Sequence, residues 1–104
     1  MAEIRWSSSA INDLISICSY IEKDSSYYAA NFARNVIARI EMLSKFPEVG
    51  RIVPEYDTPE IREIIYQNYR IVYRIKNGVI EIIRITHGAR LLPDYPDGNS
   101  CSTC

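Results

Sequence analysis

Arg70, His87, Arg90 and Tyr95 are the side chains of this 104-residue sequence whose types and spacing suit chemistry on an anionic substrate. Guanidinium groups bind phosphate oxygens in pairs and offset the charge that develops in a transition state. An imidazole exchanges a proton near neutral pH, and a phenol offers a hydroxyl. Arg62 and Arg74 add capacity to bind a nucleic acid or a partner protein. Two plainer roles stand beside these. A lone histidine at a strand end more often serves structure, and Arg70 is equally suited to hold Asp94 or a carboxylate of another chain.

Cys101 and Cys104 have the two-residue spacing of a metal or redox pair. Structural zinc takes four ligands, and neither Cys18 nor His87 clearly completes such a set. The sequence has no phosphate-binding glycine loop, zinc-protease helix or serine elbow. No metal and no cofactor are expected.

The charges are divided unevenly along the chain. Residues 1–60 carry a net −3, residues 61–90 a net +4, and residues 91–104 a net −2. The basic stretch suggests a surface suited to a polyanion or an acidic partner, or simply a solvated strand face. Length limits the chain to one domain, expected over residues 1–95, with 96–104 as a tail. No apolar run reaches the roughly 18–20 residues of a membrane-spanning helix. No basic segment leads into an apolar one at the start, and three cysteines make no even disulfide set. A cytoplasmic protein without membrane contact is the expectation.

Several elements must position these side chains. Ile4 and Trp6 alternate with Glu3 and Arg5 as in a short strand, and Ser7 to Ser9 can cap a helix. Ala10, Leu14, Ile17, Cys18 and Ile21 form one helical stripe. Ala29, Phe32, Ala33, Val36, Ile37, Ile40 and Leu43 form a second, closed off by Pro47 and Gly50. The two predict an antiparallel helix hairpin. Arg51 to Glu60, with Pro54 and Pro59, reads as a loop. Ile61–Tyr66, Tyr69–Lys76 and Val79–His87 alternate as strands, and Leu91–Tyr95 offers one more short piece. Asn77-Gly78 marks a two-residue turn.

That turn sets an expected register. Arg74 faces Glu81, Tyr73 faces Ile82, Val72 faces Ile83, and Arg70 faces Ile85. Tyr69, Ile71, Tyr73, Ile75, Ile80, Ile82, Arg84 and Thr86 then share the face that receives the helices. Arg70, Val72, Arg74, Lys76, Val79, Glu81, Ile83, Ile85 and His87 share the other. Two helices suffice for one face, so the second is expected to lie partly open, with Arg70, His87 and Arg90 converging at its far end. The fold class is α+β: an antiparallel sheet of about four strands with a helix hairpin on one face.

This order resembles the RelE/ParE superfamily of toxins from type II toxin–antitoxin systems, often described as plasmid stabilisation proteins. The resemblance lies in Trp6, Ala10, Asp13-Leu14 and Tyr20-Ile21, then Ile40-Glu41-Met42-Leu43 and Phe46-Pro47-Glu48-Val49-Gly50-Arg51. It continues through Arg62-Glu63, Tyr69-Arg70-Ile71-Val72-Tyr73 and His87-Gly88-Ala89-Arg90, covering roughly residues 2–95. It implies a cytoplasmic toxin neutralised by a cognate antitoxin. ParE-like members bind DNA gyrase and block it; RelE-like members cleave mRNA on the ribosome. By position, Arg70 and Arg90 match the phosphate-binding arginines of the nucleases, and Tyr95 lies near their C-terminal tyrosine. Where those nucleases carry two lysines, this chain has Ile61 and Glu63. A carboxylate there opposes RNA phosphate, and the chain as a whole is slightly acidic. Gyrase is therefore the expected target, with the ribosome and mRNA as the alternative and a member that binds only an antitoxin as a third.

Overall fold

Ser7 ends the first strand and opens the first helix. In the computed structural model, which describes residues 2–88 and Leu92, its backbone is extended and its hydroxyl accepts the Ala10 N–H at 3.0 Å. The same hydroxyl donates to the Ile83 carbonyl at 2.9 Å, so the helix cap is fastened to the last strand. Helix α1 runs Ser8–Glu22 and α2 Ser26–Met42, the latter capped by the Ser25 hydroxyl. Helix α2 stops short of Pro47, and residues 43–50 turn the chain back to the sheet.

The strands are β1 (Glu3–Trp6), β2 (Arg51–Ile52), β3 (Ile61–Tyr66), β4 (Tyr69–Lys76) and β5 (Val79–His87), in the order β1-β5-β4-β3-β2. The three long strands lie where alternation placed them, and Asn77 and Gly78 both adopt positive φ in the turn between the last two. Two expectations need correction. Among the described residues the sheet has five strands, because Arg51–Ile52 pairs with Arg62 and Glu63 at the start of the expected loop. It is mixed, because β1 lies parallel to β5. A two-residue strand has no alternation to detect, and the direction of β1 is set by the helix hairpin that follows it.

The helices cover one face. Ala10, Phe32, Val36, Ile40 and Leu43 bury against Tyr66, Ile71, Tyr73, Ile80, Ile82 and Ile85, with Leu14, Ile17, Cys18 and Ile21 packed alongside. Ile37, expected in this stripe, is exposed.

A β-bulge overturns part of the expected register. From the turn to Tyr73↔Ile82 the pairs stand as expected, but Val72 faces Arg84, Ile71 faces Ile85, Arg70 faces Thr86 and Tyr69 faces His87. Ile83 is the extra residue, and every later side chain of β5 changes face. Ile85 thereby joins the helix-side core, and His87 comes beside Tyr69 with ring centroids 5.8 Å apart. The bulge sits where β5 has outrun β1. There the Ser7 hydroxyl holds the Ile83 carbonyl, and the Asp13 carboxylate accepts the Ile85 N–H at 3.0 Å and a pair of bonds from Arg84.

The second face is not open either. Val53, Ile61, Val72 and Ile83 form a smaller core there, with Tyr56 and Leu92 packed on it. The segment between β2 and β3 lies across the sheet because Val53 has apolar surface to bury and its N–H finds the Ile61 carbonyl at 3.1 Å.

Candidate functional site

Arg70, the second residue of β4, lies on this covered face, 5% exposed. Its Nε donates to Glu63 Oε1 at 2.6 Å, and its Nη1 and Nη2 donate to the two oxygens of Glu55 at 2.7 Å each. Glu63, projecting from the neighbouring strand, is buried and accepts a second bond from Arg51 Nε at 2.6 Å. Among the described residues the cluster therefore sets two guanidiniums, Arg51 and Arg70, against two carboxylates, Glu55 and Glu63. Glu55 also accepts the Leu92 N–H at 3.2 Å, which binds the chain beyond β5 to the same group.

The electrostatics follow from the geometry. The paired bonds from Arg70 pull the Glu55 carboxyl down to about 2, overcoming the opposing effect of burial. Arg70 is shifted upward, by its bonds to Glu55 first and to Glu63 after. Both groups stay ionised across the physiological range. Chemically the cluster is a closed ionic clasp: the donors that would grip a phosphate already grip carboxylates.

The other expected site residues are dispersed. His87 stands on the helix side against Tyr69, so the bulge separates it from Arg70, which pairs with Thr86. Arg62 donates from Nε to the Pro59 carbonyl and from Nη1 to the carbonyls of Glu48 and Gly50. Arg74 pairs with Glu81 at 2.8 Å, the one cross-strand charge pair that the register anticipated. Arg5, Arg74, Lys76 and Glu81 line a hollow of about 320 Å³ at the turn end of the second face. Arg90 and Tyr95 lie outside the described residues, as do Cys101, Cys104, the 96–104 tail and, apart from Leu92, the Leu91–Tyr95 piece. The described residues bring no histidine, tyrosine hydroxyl and arginine together in a nuclease-like constellation.

Two residues that matter here were not singled out. Glu55 sits in a proline-rich stretch without periodicity, so no pattern marked it. Asp13 enters the sequence patterns only as part of a motif; its position nearly two turns beyond the Ser7 cap lets it reach the edge of β5. Cys18 is half-buried, and burial pushes its thiol upward, with the Glu22 charge adding to the effect.

Comparison with known proteins agrees with this architecture. Residues 4–92 match the model of the family described as the ParE toxin of type II toxin–antitoxin systems, parDE. The toxin RelE2 of Caulobacter vibrioides is 34% identical over 92 residues, covering 88% of this chain and all of that one. Among solved structures, the chromosomal ParDE system from P. aeruginosa superposes with a TM-score of 0.69 at 21% identity, covering 84% of this chain and 96% of that one. The RelBE2 toxin–antitoxin complex from Mycobacterium tuberculosis gives 0.57 at 22% identity, over 83% and 96%. The fold and the family match thus define a small α+β toxin domain. The chain belongs to the ParE toxin family of type II toxin–antitoxin systems, in which its partner is a cognate antitoxin.

Proposed function

We propose that this toxin arrests growth by binding DNA gyrase and not by cutting mRNA. One observation carries the choice: Arg70, the position that the resemblance matches to a phosphate-binding arginine, is buried and saturated by Glu55 and Glu63. To bind RNA phosphate there, the chain would have to break a bidentate ion pair and place the phosphate beside the buried Glu63 carboxylate. Both steps oppose binding. Inhibition through surface contacts asks nothing of Arg70 beyond keeping the fold. A second reading, ribosome-dependent mRNA cleavage, draws support from the similarity to the toxin RelE2 and from the exposure of His87.

The test is direct. Purified toxin should inhibit gyrase supercoiling of relaxed plasmid and leave mRNA intact in a translation reaction, and its cognate antitoxin should reverse the inhibition. Cleaved mRNA with unimpaired supercoiling would overturn the proposal and favour the nuclease.

A further inference from the structure

Phe46 and Val49 stand out in solvent, 57% and 65% exposed, on a loop that is firmly held from beneath. The buried Tyr73 hydroxyl donates to the Pro47 carbonyl at 2.7 Å and accepts the Gly50 N–H at 3.0 Å. Arg62 adds bonds to the carbonyls of Glu48 and Gly50, and the Phe46 N–H returns to the Met42 carbonyl at 3.1 Å. Gly50 admits no side chain: a Cβ there would lie 2.6 Å from both the Glu63 carbonyl and the Tyr73 hydroxyl. The backbone is fixed, yet its two large apolar side chains point outward. Together with Pro47, Glu48 and the half-buried Ile75 they line a hollow of about 520 Å³, and the exposed Met42 lies one turn before Phe46. That volume accommodates a large side chain.

The surrounding charges indicate what fits. Arg62 makes its hydrogen bonds to backbone carbonyls and forms no ion pair among the described residues. Lys45 precedes Phe46 and is exposed, and Glu48 is the acidic residue of the lining. A preformed apolar hollow beside two cations favours an acidic amphipathic segment, because its binding needs little further ordering of the loop. We propose that the hollow of Phe46, Val49 and Ile75 receives a segment of the cognate antitoxin that presents a large apolar side chain flanked by carboxylates. This rests on the toxin having an antitoxin partner and is independent of which target the toxin inhibits.

Titration calorimetry of the full-length toxin with the antitoxin encoded alongside it tests the proposal. The double variant F46S/V49S should raise Kd about tenfold or more, as expected for removing anchors at the centre of an interface. Lys45→Glu should weaken binding several-fold, and more so at low salt. Ile15→Ser, on an exposed position of α1, should leave Kd within twofold. Unchanged urea midpoints for the variants would show that the fold is intact, and V49S alone serves if the double variant unfolds. Binding by folded F46S/V49S within twofold of wild type overturns the proposal. Loss of gyrase inhibition with antitoxin affinity preserved overturns it too, and assigns the hollow to the target. If the wild-type toxin itself does not bind the antitoxin, the partner assignment falls and takes the proposal with it.

Discussion

At the scale of single residues, Arg70 is a structural ion whose counter-charges come from two directions. Glu63 is fixed in the adjacent strand, whereas Glu55 arrives on the segment that covers the sheet. Removing the guanidinium takes the paired cation from Glu55 and leaves the buried Glu63 with the exposed Arg51, so Arg70→Ala should destabilise the fold by about 3 kcal/mol in urea unfolding. A loss of toxicity in that variant would then report unfolding as readily as any direct part in function. Acid should act through the same pair. The Glu55 carboxyl is lowered to about 2 in the folded chain, so its contribution is complete above the ordinary carboxylate value of 4.5. That contribution is lost as pH falls from about 4.5 towards 2. Urea midpoints between pH 7 and pH 3 should therefore drop below about pH 4.5 in the wild type. Glu55→Gln should begin lower at neutral pH and lose less over that acid range.

Among the elements, the hairpin of β4 and β5 shows both the reach and the limit of pattern. Asn77-Gly78 fixed four pairs correctly, including Arg74 with Glu81, since turn geometry propagates along a regular ladder. The bulge at Ile83 then broke the propagation. Its cause is distant in sequence: Ser7 and Asp13 claim the edge groups of Ile83 and Ile85. Alternation in 79–87 contains no trace of them, and by itself it puts His87 beside Arg70 and not beside Tyr69. The helices were more legible, because their stripes and their serine caps are local signals. The carboxylates that close the site were not, since Glu55 belongs to no repeating pattern. The loop after α2 supplies a test at this scale. Tyr73→Phe removes the hydroxyl shared by Pro47 and Gly50 and leaves the buried Gly50 N–H unpaired, which should lower stability by about 1–3 kcal/mol in urea unfolding.

For the whole molecule, folding reduces the uneven charge along the chain. The basic stretch 61–90 spends Arg70 on Glu55 and Glu63, Arg74 on Glu81 and Arg84 on Asp13. Glu55 and Asp13, from the first half of the chain, fold back onto cations of the second, and Glu63 and Glu81 pair within the stretch. RNA affinity should accordingly be weak, and the slope of log K against log salt should correspond to no more than about two phosphate contacts in filter binding. A slope several times steeper would identify a polyanion surface beyond the pairs described here.

The parallel pairing of β1 with β5 has a consequence for how the toxin comes into being. As the chain is made, β1 has no strand neighbour until β5 follows, because Ile4 and Trp6 lie against Ile80 and Ile82. A nascent chain cut short before Val79 holds the helices and part of the meander but cannot close the layer beneath α1. Closure of the sheet waits for β5, so a copy cut short before that strand lacks the completed surface that either a target or an antidote would recognise.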